Sequence, residues 1–182
     1  MRVLVAYASR YGATRGIAER IAETLRQAGQ QTTLQPAGSA GSPAEYDAAV
    51  IGSAAYFFHW MKPCARYVRR YRSILAQRPV WLFSSGPLGT EPKDAQGRDL
   101  RVVTEPKEIP EFLEAIHPRD HRVFFGAIDS SKFGFLHRLL NRMPANRGKA
   151  LFPEGDFRDW NEIDAWSTGI AQALKTIEKL GT

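Results

Sequence analysis

The spacing of apolar positions changes period along the chain. Val3-Leu4-Val5-Ala6-Tyr7 is an unbroken β-prone apolar run, the pattern of a strand buried on both faces of a parallel sheet. From Thr14 the repeat is helical: Ile17, Ala18, Ile21, Ala22 and Leu25 share one face, and Gly29 stands where that helix should stop. Thr32-Thr33-Leu34 predicts a short second strand, and the small, turn-rich residues from Gly38 to Pro43 predict a loop. Asp47-Ala48-Ala49-Val50-Ile51-Gly52 predicts a third strand, followed by the aromatic stretch Tyr56-Phe57-Phe58-His59-Trp60. A helix is predicted from about Pro63 to Gln77, with the proline in its first turn. Val80-Trp81-Leu82-Phe83 predicts a fourth strand, running into Ser84-Ser85-Gly86-Pro87-Leu88-Gly89. Residues 90–105 are polar without a clear period and predict a surface excursion. A helix from Pro110 to His117 and a fifth strand from Arg122 to Ile128 come next. Then follow a basic amphipathic helix from Phe133 to Met143, an irregular stretch over 144–158 and a closing helix from Glu162 to Leu180.

Five strands separated by helices, with no internal repeat, predict an α/β fold: one open parallel sheet covered on both faces. The 182 residues are expected to form a single domain spanning 1–182. With 43% hydrophobic and 24% charged residues the chain can fill a core, which argues against a disordered protein. The one cysteine, Cys64, excludes an internal disulfide and a Cys-based zinc cluster. No apolar run approaches the ~20 residues needed to span a bilayer. The apolar start is too short for a signal peptide and lacks a small-residue cleavage site, so a soluble cytoplasmic protein is expected. Net charge is the unusual quantity: 25 Lys and Arg against 19 Asp and Glu give +6, which suggests an anionic partner.

Doubly wound sheets bind ligands at the carboxyl ends of their strands, near the point where strand order reverses. The loop after the first strand reads Ser9-Arg10-Tyr11-Gly12-Ala13-Thr14 and runs directly into a helix. Ser9 and Thr14 supply hydroxyls, and successive backbone N–H groups at a helix N-terminus make an anion site. Gly12 allows a tight turn around a bound group. Neither G-x-x-x-x-G-K-[ST] nor G-x-G-x-x-G is present, so nucleoside-triphosphate and dinucleotide loops are excluded. A plainer use of Ser9 and Thr14 is to cap the helix.

Val5-Ala6-Tyr7-Ala8-Ser9-Arg10-Tyr11-Gly12-Ala13-Thr14, with Ala18 and Ile21 beyond, closely resembles the flavodoxin signature. Ala6 is the one departure, where a larger aliphatic or aromatic residue is usual. The resemblance implies a three-layer flavodoxin-like fold of strand order 2-1-3-4-5 that binds flavin mononucleotide (FMN). Ser9, Thr14 and the backbone of Arg10, Tyr11, Gly12 and Ala13 would hold its phosphate. Loops after the third and fourth strands would flank the flavin ring, here with Ala54, Ala55, Tyr56 and Phe57 in one and Ser84, Ser85, Gly86, Pro87, Leu88 and Gly89 in the other. The aromatic residues suit ring stacking, with Tyr56 or Phe57 favoured by position, and Gly86 and Gly89 permit close backbone approach.

Electron-carrier flavodoxins are acidic, whereas this chain carries two stretches in which basic residues stand unopposed. One holds Lys62, Arg66, Arg69, Arg70, Arg72 and Arg78; the other holds Lys132, Arg138, Arg142, Arg147 and Lys149. Each is either a solvated face or an attraction site for an anionic substrate, an acidic redox partner or a lipid surface. Within the flavodoxin-like class the chain further resembles the menaquinone-dependent protoporphyrinogen dehydrogenase branch. That likeness rests on Val50-Ile51-Gly52 followed by Phe57, His59 and Trp60, on Phe125-Gly126-Ala127, on the basic helix near 135–143 and on Asp159-Trp160. Tyr56 stands where that branch tends to have Arg, and Phe58 where it tends to have Gly. It implies a flavin-dependent oxidoreductase; the alternative is a basic electron-transfer protein using FMN or a deazaflavin, with an acidic partner and no small-molecule turnover.

No residue is assigned a catalytic role. His59 offers a proton carrier or simply a loop histidine, hydrogen-bonded or solvated. Cys64, at a helix start, offers a thiol of lowered pKa, but no resolving thiol accompanies it. No metal site is expected, and no nucleic-acid motif accompanies the basic charge. The helix over 133–143 is apolar as well as basic; core packing is its favoured use, with an interface or a peripheral membrane contact as alternatives. Monomeric and dimeric states both fit the sequence.

Overall fold

The structure, a computed structural model, describes residues 1–86, 91–129 and 154–180. Strand β1 (Arg2–Ala8) passes through a four-residue loop into α1 (Ala13–Gln27), and β2 (Gln31–Pro36) returns beside it. Gly29, at φ +92°, turns the chain between them, as the helix-stop reading expects. Strand β3 (Ala48–Tyr56) follows a single 3₁₀ turn at Pro43–Glu45 and folds back through a two-residue turn onto β4 (His59–Trp60). Next come α2 (Lys62–Arg70), α3 (Arg72–Leu75), β5 (Val80–Ser85), α4 (Leu100–Val103), α5 (Ile109–Ile116) and β6 (Asp120–Phe124). A two-stranded ribbon of β7 (Ala127–Ile128) and β8 (Gly155–Asp156) and the long α6 (Trp160–Leu180) complete the described chain.

The main sheet has the order β2-β1-β3-β5-β6, with all four neighbouring pairs parallel. Setting aside the two-residue β4, this is the order 2-1-3-4-5 that the sequence led one to expect. Apolar runs in β1, β3 and β5 are continuous because both faces are covered. Leu4, Ala6, Ala49, Ile51, Val80 and Leu82 pack with Val68, Leu75, Ile109, Phe112 and Ile116 of α2, α3 and α5. Val3, Val5, Ala48, Val50, Trp81 and Phe83 pack on the other face with Ile17, Ile21 and Leu25 of α1 and Ile163, Ile170 and Leu174 of α6. Gly52 belongs to that second face: a Cβ built on it would overlap ring atoms Cε1 and Cζ of Phe83, which is fully buried beside Phe124 and Trp166.

Three expectations are revised. The helix foreseen over 63–77 is two helices, because Tyr71 leaves the helical region at φ −108°, ψ 18°. Arg78 then closes the second one by donating to the carbonyls of Ile74, Tyr46 and Ala44. The fifth strand begins at Asp120 and stops at Phe124, after which β7 leaves the sheet to pair with β8. The excursion at 90–105 contains α4, whose start Asp99 caps by accepting from the Arg101 N–H at 2.8 Å. The helix foreseen at 133–143 and the second basic stretch lie outside the described residues. Among the described residues no helix is long and apolar enough to cross a membrane.

Candidate functional site

Parallel register sets the carboxyl ends of β1, β3 and β5 side by side, with Ala8 opposite Ser53 and Ala54 opposite Ser85. The loops leaving these ends therefore share one edge of the sheet. The first of them, Ser9–Gly12, turns at Gly12 with φ +95°, a left-handed conformation that costs glycine little. Ser9 Oγ accepts the Gly12 N–H at 3.1 Å, fixing the turn. Neither Ser9 nor Thr14 caps α1: the N-cap is Gly12, it makes no side-chain cap bond, and no acidic residue sits in the first turn. The amino end of α1 thus keeps N–H groups and positive dipole for an anion. Thr14 is 1% exposed, on the same stripe of α1 as Ile17, Ala18, Ile21, Ala22 and Leu25. Arg10 lies over the ring of Tyr11 at 5.3 Å, and Tyr11 meets the edge of Tyr56 at 6.5 Å.

A second cation reaches this loop from far along the chain. Arg158 donates from Nη1 to the carbonyl of Ala13 at 3.1 Å and lies over the ring of Trp160 at 4.4 Å. Two bonds to Asp156, at 2.7 and 2.6 Å, hold its guanidinium and keep the Asp156 carboxyl below the usual carboxylate range. Gly16 makes room for it, since a Cβ there would come within 2.6 Å of Nη1. No periodicity or motif signals this contact.

The aromatic stretch forms the tip of the β3–β4 hairpin. Phe57 and Phe58 are its two turn residues, at φ +51° and +62°. Positive φ at both positions is the turn that Asn-Gly prefers, and a bulky residue held there costs about 1–3 kcal/mol. Phe58 occupies the position where the protoporphyrinogen branch tends to have glycine, the residue to which this conformation comes freely. Phe57 is 88% exposed and Phe58 50%. Tyr56 is 38% exposed, and burial of its hydroxyl end, with Tyr11 beside it, pushes that group up to about 12.

Several bonds hold the tip. Lys107 N–H donates to the Phe58 carbonyl at 3.0 Å. Glu108 receives His59 Nδ1 on one carboxylate oxygen at 2.9 Å and the Trp60 N–H on the other at 3.1 Å. Burial raises the Glu108 carboxyl, but these donors outweigh it and leave the group below its ordinary value. His59 is thus hydrogen-bonded at Nδ1 while its side chain stays half exposed. Met61 N–H donates to Ser53 Oγ at 3.0 Å, which ties the end of the hairpin to β3.

At the end of β5, Ser84 is fully buried and its hydroxyl lies among Trp60 and His121. Its side chain is engaged there, which leaves its backbone as the part available to a ligand. Ser85 is buried as well. Gly86 approaches the second loop so closely that a Cβ on it would stand 3.2 Å from the Cβ of Ala55. Ala54 and Ala55 line the same edge, Ala54 buried and Ala55 half-buried. Pro87, Leu88 and Gly89 lie outside the described residues.

Of the first basic stretch, Arg69 and Arg78 have structural employment. Arg69 bonds Glu111 twice, at 2.8 and 2.6 Å, and Arg78 bonds backbone carbonyls. Lys62, Arg66 and Arg70 recur every four residues along exposed positions of α2, which begins immediately after the hairpin. Cys64 corrects the prospect of an activated thiol. It is fully buried, burial pushes its pKa up, and its Sγ donates to the Gly52 carbonyl at 3.1 Å. Among the described residues no group of His, Cys, Asp and Glu could hold a metal ion.

Fold and edge together define a class: a doubly wound α/β protein whose first strand turns at Gly12 into an uncapped helix, with the aromatic β3–β4 hairpin beside it. A family model described as "Flavodoxin domain" matches residues 4–150, and the chain belongs to that family. Membership implies FMN as the cofactor. None of the curated proteins matches the chain in sequence. Solved structures share its fold at low identity. A flavodoxin from the domain Archaea is 14% identical, with 96% of this chain and 99% of that one covered at a TM-score of 0.57. A cysteine-to-serine mutant of flavodoxin from Pseudomonas aeruginosa is 15% identical, with 96% and 99% covered at 0.57. The flavodiiron core of Flv1 from Synechocystis sp. PCC6803 is 18% identical, with 97% of this chain and 36% of that one covered at 0.60.

Proposed function

We propose that this chain is an FMN-dependent oxidoreductase that exchanges electrons with an anionic substrate or an acidic redox partner. The observation that carries it is the uncapped amino end of α1 behind the left-handed Gly12, on the same edge as the aromatic hairpin and Gly86. Backbone N–H groups of Arg10 to Ala13, with Ser9 and Thr14, hold the phosphate. Arg158 and Arg10 add positive charge to that end. Ala54 to Phe57 and the loop that begins at Ser84 would flank the flavin ring. Bound FMN supplies one- and two-electron redox chemistry; the protein orients the ring, excludes water from one side of it and sets its electrostatic surroundings. A cytoplasmic setting is part of the same reading.

The exposed row Lys62, Arg66 and Arg70 favours an anion at the ring edge. In the finer reading, the substrate is a flat, carboxylate-bearing molecule of the porphyrinogen type, whose carboxylates these cations attract. The same row equally serves an electron carrier that docks an acidic protein. The absorbance spectrum of protein purified from its native host tests the cofactor. A flavin spectrum supports the reading and a deazaflavin spectrum redirects it; colourless protein that takes up neither on titration refutes it. Turnover of a porphyrinogen with a quinone acceptor identifies an enzyme, whereas stable one-electron reduction without turnover identifies a carrier.

A further inference from the structure

The turn at Phe57–Phe58 holds two bulky residues in a conformation that glycine and asparagine prefer, and such strain persists only where the surroundings over-determine it. The deepest of these restraints is the ring of Trp60. It is buried, packed against Phe112 at a centroid distance of 5.3 Å, and bonded through Nε1–H to Ser84 Oγ at 2.7 Å. Ser84 Oγ also lies 2.9 Å from His121 Nε2, and His121 Nδ1 lies 3.3 Å from Glu105 Oε1. The His121 side chain is only 7% exposed.

One arrangement of protons gives the Ser84 hydroxyl both a donor and an acceptor to meet. An indole N–H donates only, so Ser84 Oγ accepts from Trp60. In that arrangement the hydroxyl proton of Ser84 goes to His121 Nε2, which is then unprotonated. The ring's one proton is left on Nδ1, where it faces a carboxylate oxygen of Glu105. The indole and hydroxyl protons both meet acceptors, and the opposite tautomer would take the ring nitrogen away from the Ser84 hydroxyl and turn a lone pair toward that carboxylate.

We propose that His121 and Ser84 are positioning residues: a buried hydrogen-bonded chain, faced at its outer end by Glu105, that holds Trp60 and thereby sets the posture of the Phe57–Phe58 turn at the flavin edge. The chain runs from β6 through β5 to β4, with the segment after α4 facing its outer end, and so ties the hairpin to the body of the sheet. Its part in flavin binding rests on the function proposed above; its hold on the hairpin does not. Ser84 is too deeply buried to act as a nucleophile, so the resemblance of Ser84–His121–Glu105 to a hydrolytic triad is one of residue types alone.

The test uses the full chain, first without flavin. Nitrogen-15 NMR of the wild type should show His121 protonated at Nδ1 and bare at Nε2 at neutral pH. Ser84→Ala and His121→Leu should each shift the Trp60 indole N–H resonance and speed its solvent exchange more than tenfold, with the far-UV dichroism kept. With FMN added, each variant should bind about tenfold more weakly, and the double variant no more weakly than either single one. A proton on Nε2, an unmoved Trp60 resonance in Ser84→Ala, or losses that multiply in the double variant would overturn the chain. A moved Trp60 resonance with unchanged FMN affinity would overturn the hairpin's part in binding. Wild type that takes up no FMN refutes the flavin reading, and the Trp60 resonance still decides the anchor.

Discussion

Replacing Gly52 with alanine adds one methyl group at the centre of β3, and the structure fixes where it must go. The new Cβ would overlap the ring of Phe83, a fully buried side chain wedged against Phe124 and Trp166, each at a centroid distance of 6.2 Å. Backbone conformation is no obstacle, since Gly52 is not among the glycines with positive φ. Overpacking a core costs about 1–3 kcal/mol, and displacing a ring that bears on two further aromatics puts Gly52→Ala at the upper end. The lower chain entropy of the unfolded alanine variant returns about 0.4–1 kcal/mol, so a net loss of roughly 2 kcal/mol is expected. For a chain of this size that is a fall in Tm of about 4–8 °C. Phe83→Leu alone should cost about 1–2 kcal/mol through the cavity it leaves. In the double variant the leucine vacates the ring atoms that the methyl group would strike, so the losses should fall well short of their sum. Urea unfolding followed by far-UV dichroism measures all three. A single variant within about 0.5 kcal/mol of wild type, or losses that add to within that margin, would refute the reasoning.

Three other outcomes are expected. Thr14→Ala should weaken FMN binding while leaving riboflavin binding much less affected; equal loss of both ligands on titration counts against the phosphate loop. Phe57→Asn with Phe58→Gly should raise stability to urea by about 1–2 kcal/mol, because Asn-Gly suits the left-handed turn, and should weaken FMN binding at the same time. His121, which burial holds down to about 4, is charged in the unfolded chain below about 6.5. Its folded pKa lies under its unfolded one, so its contribution is complete above about 6.5 and is lost as pH falls toward 4. Asp120 on its own strand works against that depression, and Glu105 and Ser84 face its ring. The loss amounts to roughly 3 kcal/mol, and the stability of His121→Leu should fall less steeply than wild type over that interval.

The strands β1, β3 and β5 were readable because they are buried on both faces, which turns a strand into an unbroken apolar word; their order came from the resemblance to the flavodoxin signature. α1 was readable for the matching reason that Ile17, Ile21 and Leu25 repeat on one side. β4 was not: a strand of two residues has no period, and its turn is made by two phenylalanines where turn chemistry favours Asn-Gly. Nor was the break at Tyr71, where no glycine or proline announces it. At the site, Ser9 to Thr14 could be found because the loop is continuous in sequence and its requirements are local. Glu108, His121 and Arg158 act across the fold, Arg158 on a carbonyl 145 positions away, and pairing of that kind leaves no trace in a linear pattern. Gly52 was visible as part of Val-Ile-Gly, but its reason, the ring of Phe83, lies on another strand.

The contact of Arg158 with the first loop bears on how the protein is made. Synthesis delivers Ser9 to Thr14 well before Asp156 to Trp160, yet α1 is seated against Ile163, Ile170 and Leu174 of α6. Until those residues leave the ribosome, the amino end of α1 lacks both its packing partner and its neighbouring guanidinium. FMN binding should therefore need α6 in place, and removal of the segment from Asp156 to Leu180 should abolish it even though no residue from Ser9 to Thr14 has been touched.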